Sequence, residues 1–143
     1  MSNPPSVLAQ YVNNVKKAPY FSDFSTNFEM SPNSGDLALV TDTHAVVQSL
    51  ENIILTFVGE RLYDNVIGSS VMLGTFELGT SVQLELIKAA VIHAAEVNEP
   101  RVSIINVDVT LTGQDNNFNI TVSFYVINNT IPQTLNVTLK RTR

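Results

Sequence analysis

Ala94-Ala95-Glu96-Val97-Asn98-Glu99-Pro100-Arg101-Val102-Ser103-Ile104-Ile105-Asn106-Val107-Asp108-Val109-Thr110-Leu111 is the stretch in which the hydrophobic period of the chain changes. Before Pro100 the apolar residues recur every three or four positions. Leu84, Ile87, Val91 and Ala94/Ala95 make one stripe, which predicts a helix over 81–98. Leu86, Ala90 and Val97 widen that stripe, so the helix is expected to be covered on more than one side. Pro100 cannot continue a helix. From Val102 the period is two, and Ile105, Val107, Val109 and Leu111 are expected to share one face of a strand.

Downstream, Phe118, Ile120, Val122, Phe124 and Val126 alternate in the same way, as do Leu135, Val137 and Leu139. Gly113-Gln114-Asp115-Asn116-Asn117 and Asn128-Asn129-Thr130-Ile131-Pro132 separate the three runs. Loops this short between alternating strands predict an antiparallel meander over 102–140. Upstream, Thr80 and Gln83 have capping-box spacing at the start of the helix. Val46, Val47, Leu50, Ile53, Ile54 and Phe57 predict another helix over 43–57. Thr41, Asp42 and Thr43 are its N-cap candidates, and Gly59 suits the left-handed position after its last turn. A short helical turn is expected near Ser70–Phe76.

Residues 1–35 hold four of the six prolines and look weakly ordered, except that Tyr20–Phe28 reads as a short strand. Pro32-Asn33-Ser34-Gly35 then marks a turn, and Leu37–Val40 reads as a return strand. The expected fold is therefore α+β. Two long helices pack on a C-terminal three-stranded antiparallel sheet, with an extended N-terminal arm or short hairpin. The chain divides into an arm, 1–19, and one domain, 20–143.

The 143 residues suit one domain with its own core. No cysteine is present, which excludes disulfides, thiolate nucleophiles and Cys-ligated metal sites. Thirteen acidic residues against eight basic ones give a charge of −5. That balance argues against nucleic acid and anionic membranes as partners. Three of the eight basic residues, Lys140, Arg141 and Arg143, crowd the last four positions. Charged residues make up 15% and hydrophobic ones 44%, so Asn, Thr and Ser supply much of the polar surface. That is sparse charge for a free domain and compatible with a surface largely covered by partners. Met1-Ser2-Asn3-Pro4-Pro5 has neither the basic nor the apolar stretch of a secretory leader, and no apolar run is long enough to span a bilayer. The Asn-x-Thr triplets at Asn119, Asn128 and Asn136 are accordingly read as sheet and turn surface.

Catalytic signatures are scarce. No phosphate-binding glycine loop and no nucleophile elbow is present. His44 and His93 are two distant histidines without cysteine, so no metal and no cofactor is expected. Glu60 and Asp64 are four residues apart, but nothing around them supplies a sugar-binding cleft, and the chain has no tryptophan to stack on a sugar. The charged groups Gly59-Glu60-Arg61 and Glu99-Pro100-Arg101 are more informative. Glu99 lies at a helix C-terminus, where the dipole disfavours an anion, so a nearby cation is expected. Arg101 is close in sequence, and Arg61 is a second candidate. The group is either a loop ion pair of little worth or an oriented network presented to a partner.

Asp36-Leu37-Ala38-Leu39-Val40-Thr41-Asp42, the run Val47–Thr56, Gly59-Glu60-Arg61, Gly68, Phe76-Glu77 and Glu99-Pro100-Arg101 together resemble the baseplate wedge and sheath-initiator family of contractile phage tails, which includes a type VI secretion baseplate subunit. The resemblance covers roughly residues 20–140. It departs at Leu62-Tyr63-Asp64-Asn65, where many members carry a proline-containing stretch. It implies a non-enzymatic structural subunit in the virion tail baseplate, assembled in the host cytoplasm. Its implied partners are the other wedge proteins, the tube and hub proteins and the tail sheath protein, with six copies ringing the hub. It also implies that the subunit starts the sheath by exchanging strands with the first ring. Glu99, Pro100 and Arg101 match the family's core motif, and Gly59, Glu60 and Arg61 accompany it as the expected assembly motif.

The residue pattern agrees with an assembly role. Leu135, Val137, Leu139, Lys140, Arg141 and Arg143 form an expected sheath-facing strand and tail, because a strand with one sequential neighbour offers an edge and the basic end attracts an acidic surface. Some family members carry a lysozyme-like label, so a cell-wall glycosidase is the alternative reading. A small ligand-binding module is a third, for which no polar pocket cluster is apparent.

Overall fold

The computed structural model describes residues 20–74, 80–112 and 117–140. The arm 1–19, Phe76, Glu77, Gly79, the loop residues 113–116, Arg141 and Arg143 lie outside that description.

β1 (Ser22–Phe24) and β2 (Leu39–Thr41) pair antiparallel as a small hairpin, with Ser22 opposite Thr41 and Phe24 opposite Leu39. Gly35 takes a φ of 68° in the connecting turn, a conformation that costs glycine nothing. The helix α1 (Thr43–Leu55) follows at once. A loop leads to the single turn α2 (Val71–Gly74) and then to α3 (Ser81–Asn98). The chain closes with β3 (Val102–Thr112), β4 (Asn117–Val126) and β5 (Gln133–Leu139), antiparallel in the order β3-β4-β5. The architecture is thus a mixed helix-and-sheet domain with a C-terminal three-stranded antiparallel sheet.

β4 and β5 bury what their period predicts. In β4, Phe118, Ile120, Val122, Phe124 and Val126 are all buried, and in β5 so are Leu135, Val137 and Leu139. Val46, Leu50 and Ile54 of α1, Val71 of α2, and Ile87, Val91 and Ala95 of α3 complete the same core. Each fully buried Leu, Ile, Val or Phe contributes about 1.5–3 kcal/mol relative to exposure. The sheet's other face carries Thr and Asn, which bond across strands. Asn119 donates to Thr112 at 2.7 Å and Thr138 donates to Asn119 at 2.9 Å.

Five expectations need correction. The first helix ends at Leu55, not at 57: Thr56 turns to an extended conformation (φ −80°, ψ 130°), and Phe57 instead bridges to Ser69. Gly59 therefore lies beyond the helix cap; its φ of 91° serves a loop in which its N–H donates to the Asn65 carbonyl at 3.0 Å. Asp42 occupies the N-cap position but does not cap. Its carboxylate accepts the Tyr20 backbone N–H at 2.8 Å, which ties the hairpin's beginning to its end. On α3, Leu86 and Val97 are exposed, so of the three residues expected to widen its buried stripe only Ala90 packs against the core. Finally, Ile105 does not share a face with Val107. The register shifts between Ile104 and Asn106, which leaves Ile105 in a bulge and 51% exposed. Val102 and Ile104 face inward ahead of the bulge, and Val107 and Val109 face inward after it. An inserted residue reverses the phase of alternation, so a straight count from Leu111 back to Ile105 fails at that point.

Candidate functional site

The Glu99-Pro100-Arg101 junction is where α3 hands over to β3. Glu99 is the C-cap of α3, and its N–H donates to the Ala95 carbonyl at 2.9 Å. Pro100 supplies no N–H and ends the helix, and Val102 N–H returns to the Glu99 carbonyl at 3.1 Å. This turn points the Glu99 side chain inward, where it is 2% exposed.

Three donors hold that carboxylate. Arg101 Nε donates to Oε1 at 2.6 Å and Arg101 Nη2 donates to Oε2 at 2.6 Å, a two-bond fork. Ser49 Oγ of α1 donates to Oε2 at 2.6 Å. Burial by itself would raise the Glu99 carboxyl, but the Arg101 and Ser49 hydrogen bonds and the Arg101 charge outweigh it, and the group is held below its ordinary value. On the other side, the hydrogen bond to Glu99 raises Arg101, burial opposes it, and the charges of Glu99 and Asp23 add to the rise. The guanidinium carbon also lies 5.1 Å from the centroid of the Phe21 ring, at the foot of β1. This is the only ion pair among the described residues, and no buried side-chain nitrogen or oxygen among them lacks a partner. The arrangement links α1, α3, β3 and the hairpin at one point. It is an oriented network rather than a loose loop pair, because its carboxylate is fully desolvated and its bonds are bidentate.

Gly59-Glu60-Arg61 lies nearby but plays a different part. Ser69 closes the loop that carries it: Ser69 Oγ donates to the Ile54 carbonyl at 2.6 Å and Ser69 N–H to the Thr56 carbonyl at 2.8 Å. These bonds satisfy carbonyls that the end of α1 leaves open. Glu60 accepts the Phe57 N–H at 3.1 Å and stays exposed, holding a turn. Arg61 lines a cavity of about 270 Å3 together with Asp23, Ser49 and Asn98. The two charged triplets are thus brought to one end of the molecule. The cation that meets Glu99 is Arg101 alone, so the candidacy of Arg61 for that role is corrected.

Reading the sequence missed Ser49 and Phe21 as members of the network. A signal for Ser49 was present: it stands three residues after Val46 and four before Ile53, a hydroxyl set within the buried stripe.

The profile of the family described as baseplate wedge protein gp25 matches residues 40–130, which include both triplets and Ser49. The chain belongs to the gp25 family of baseplate wedge proteins. Comparison with curated proteins finds no match. Among solved structures, the gp25-family fold recurs in a Geobacter sulfurreducens protein with a provisional tail-lysozyme label (TM-score 0.67, 20% identity, 74% of this chain and 98% of that one). It recurs in a chain of the anti-feeding prophage baseplate (TM-score 0.60, 20% identity, 86% and 87%). A chain of the post-contraction pyocin R2 baseplate shares it as well (TM-score 0.55, 20% identity, 68% and 96%). At this identity the likeness is one of fold.

The gp25-family match stops before β5, which carries the expected sheath-facing residues. β5 is an edge of the sheet, and Leu135, Val137 and Leu139 face the core. Lys140 is exposed just beyond the strand. β3 forms the opposite edge. His44 and His93 are exposed on α1 and α3, and no group of three or more His, Asp or Glu residues that could hold a metal occurs among the described residues. None of their helices is long and apolar enough to cross a membrane.

Proposed function

We propose that this chain is a structural subunit of a contractile tail baseplate, present in six copies, that joins wedge proteins to the tube and hub and starts the sheath. Membership of the gp25 family carries the baseplate part of this reading. The sheath part rests on β5, a seven-residue edge strand with its apolar side already used in the core. Its outer N–H and C=O groups are available for main-chain pairing with an incoming strand, and Lys140, with Arg141 and Arg143 beyond it, favours an acidic partner surface. Glu99 and Arg101, with Ser49, fix the helix-to-strand junction, and Arg61 with the loop around it forms the surface next to it that meets a wedge protein. In this reading the chain is one domain, 20–143, preceded by an arm, acts in the tail after assembly in the host cytoplasm, and catalyses nothing.

Placing a photo-crosslinking residue at Lys140 and assembling complete tails tests the sheath contact. The expected adduct is with the tail sheath protein. Adducts with wedge proteins alone would overturn the assignment of this edge. The tail-lysozyme label of one structural neighbour keeps a glycosidase as the competing reading. Purified chain incubated with peptidoglycan is expected to release no soluble sugar above buffer. Release that Glu60→Gln removes would replace the structural reading with an enzymatic one.

A further inference from the structure

The C-terminal sheet has two edges, β3 and β5, and among the described residues no strand pairs with the outer side of either. The two differ in shape. β5 is straight: Gln133–Leu139 pair with β4 without a shift of register. β3 is broken. All ten residues of β4 have a partner on β3, and of the eleven residues of β3 Ile105 is the one that has none. Ile105 is half exposed and stands outside the core that Val102, Ile104, Val107 and Val109 join. Without it the strand would read Val102-Ser103-Ile104-Asn106-Val107-Asp108-Val109-Thr110-Leu111-Thr112, an unbroken apolar–polar alternation.

Such a strand would be a hazard at an edge. Its side chains are mostly β-branched or aliphatic, with one charge and neither proline nor glycine, a composition that pairs readily with another strand. A regular edge presents outward N–H and C=O groups at every second residue, about 7 Å apart. An incoming strand has the same repeat and can bond along the whole edge. The extra residue breaks that repeat between Ile104 and Asn106, bends the strand and increases its twist. A straight strand in step with residues 106–112 is therefore out of step with residues 102–104. Within the longer remainder Asp108 is exposed and accepts from the Asn106 amide at 3.4 Å, which sets a charge beside the edge.

Two open edges on one sheet would let β3 of one copy add to β5 of the next. That contact is head-to-tail and does not close, so it would run on as a filament and occupy β5. We propose that the bulge at Ile105 closes the β3 edge to a second copy of the chain and so confines strand addition to β5. The closure stands on the geometry of β3 alone; only its use, keeping β5 open for a sheath strand, rests on the proposed function.

The test uses full-length chain and no tail component, so its outcome is separate from that of the sheath reading. Deleting Ile105 is expected to give a folded chain that self-associates at least about tenfold more tightly than the native chain in sedimentation velocity. On association, the outward backbone amides of residues 103–112 are expected to exchange at least about tenfold more slowly. Ile105→Thr keeps the extra residue and is expected to behave as the native chain does. The deletion chain carrying Asn106→Lys and Thr110→Lys is expected to do the same, because charge guards the restored edge. Equal association of the native and deletion chains would overturn the proposal. Association that protects no β3 amide would overturn it too, as would association of Ile105→Thr at the level of the deletion chain. A deletion chain that fails to fold would show that the bulge serves the core instead, and the proposal would fall.

Discussion

Ser49 and Glu99, fifty residues apart in the chain, share a hydrogen bond of 2.6 Å that joins the middle of α1 to the end of α3. The same carboxylate takes both Arg101 bonds, so one buried group ties two helices to the first strand of the sheet. Removing the carboxylate leaves the Ser49 hydroxyl and the Arg101 guanidinium without their partner. Glu99→Ala is expected to lower stability at pH 7 by about 2–3 kcal/mol, measured by urea unfolding. The figure stays below that of a wholly buried pair because the Arg101 side chain is 34% exposed and rehydrates.

The pH dependence of that contribution has a definite sign. The folded Glu99 carboxyl lies below its ordinary value of 4.5, so the folded state binds its proton less readily than the unfolded chain. The stabilisation is therefore complete above the ordinary value and is lost as pH falls through the folded one. Urea midpoints taken from pH 7 downward should show the native chain losing its advantage over Glu99→Gln in the acid range. A constant gap between the two across that range would show that Glu99 ionisation does not contribute.

Gly68 has a φ of 135° in the loop that Ser69 closes, and a Cβ built there would stand 2.7 Å from the Thr56 carbonyl oxygen and 3.0 Å from the Phe57 carbonyl carbon. Both are backbone atoms and cannot swing aside. Gly68→Ala is expected to cost about 2 kcal/mol or more in urea unfolding. Gly59→Ala, whose Cβ meets nothing within 4 Å, carries only the strain of its positive φ and should cost less.

The bulge in β3 gives a paired test. Val107 is 0% exposed, and Val107→Ala is expected to cost about 2 kcal/mol through lost burial and a residual void. Ile105→Thr, two positions earlier, is expected to change stability by less than about 0.5 kcal/mol, because Ile105 points outward. Similar losses from both would place Ile105 in the core.

Replacing Lys140, Arg141 and Arg143 by Ser is expected to leave the core intact and to slow sheath initiation without abolishing it, with the defect growing smaller as salt screens the attraction. Electron microscopy of tails assembled with the variant, counting sheathed against bare tubes over time, checks this. Deleting 134–143 is a poorer test, since it also removes the buried Leu135, Val137 and Leu139.

The sequence alone determined the order and type of the main elements. A period of 3.6 through Ala95, a proline at 100 and a period of two from Val107 onward are local properties, set by which backbone form puts those side chains on one side. The α3 boundaries and the buried faces of β4 and β5 follow directly from them, and so did the family resemblance carried by Gly59-Glu60-Arg61 and Glu99-Pro100-Arg101. Tertiary structure decided the rest. The bulge at Ile105 is a matter of pairing with Phe124 and Ser123, which no count along β3 contains. The early end of α1 depends on Ser69 reaching back to the Ile54 carbonyl. The choice of Arg101 over Arg61 as partner of Glu99 depends on a turn that points Glu99 inward toward Ser49. Periodicity records which side of an element is apolar. It does not record which distant group completes a buried charge, because that is set by contacts between segments that approach only when the chain is folded.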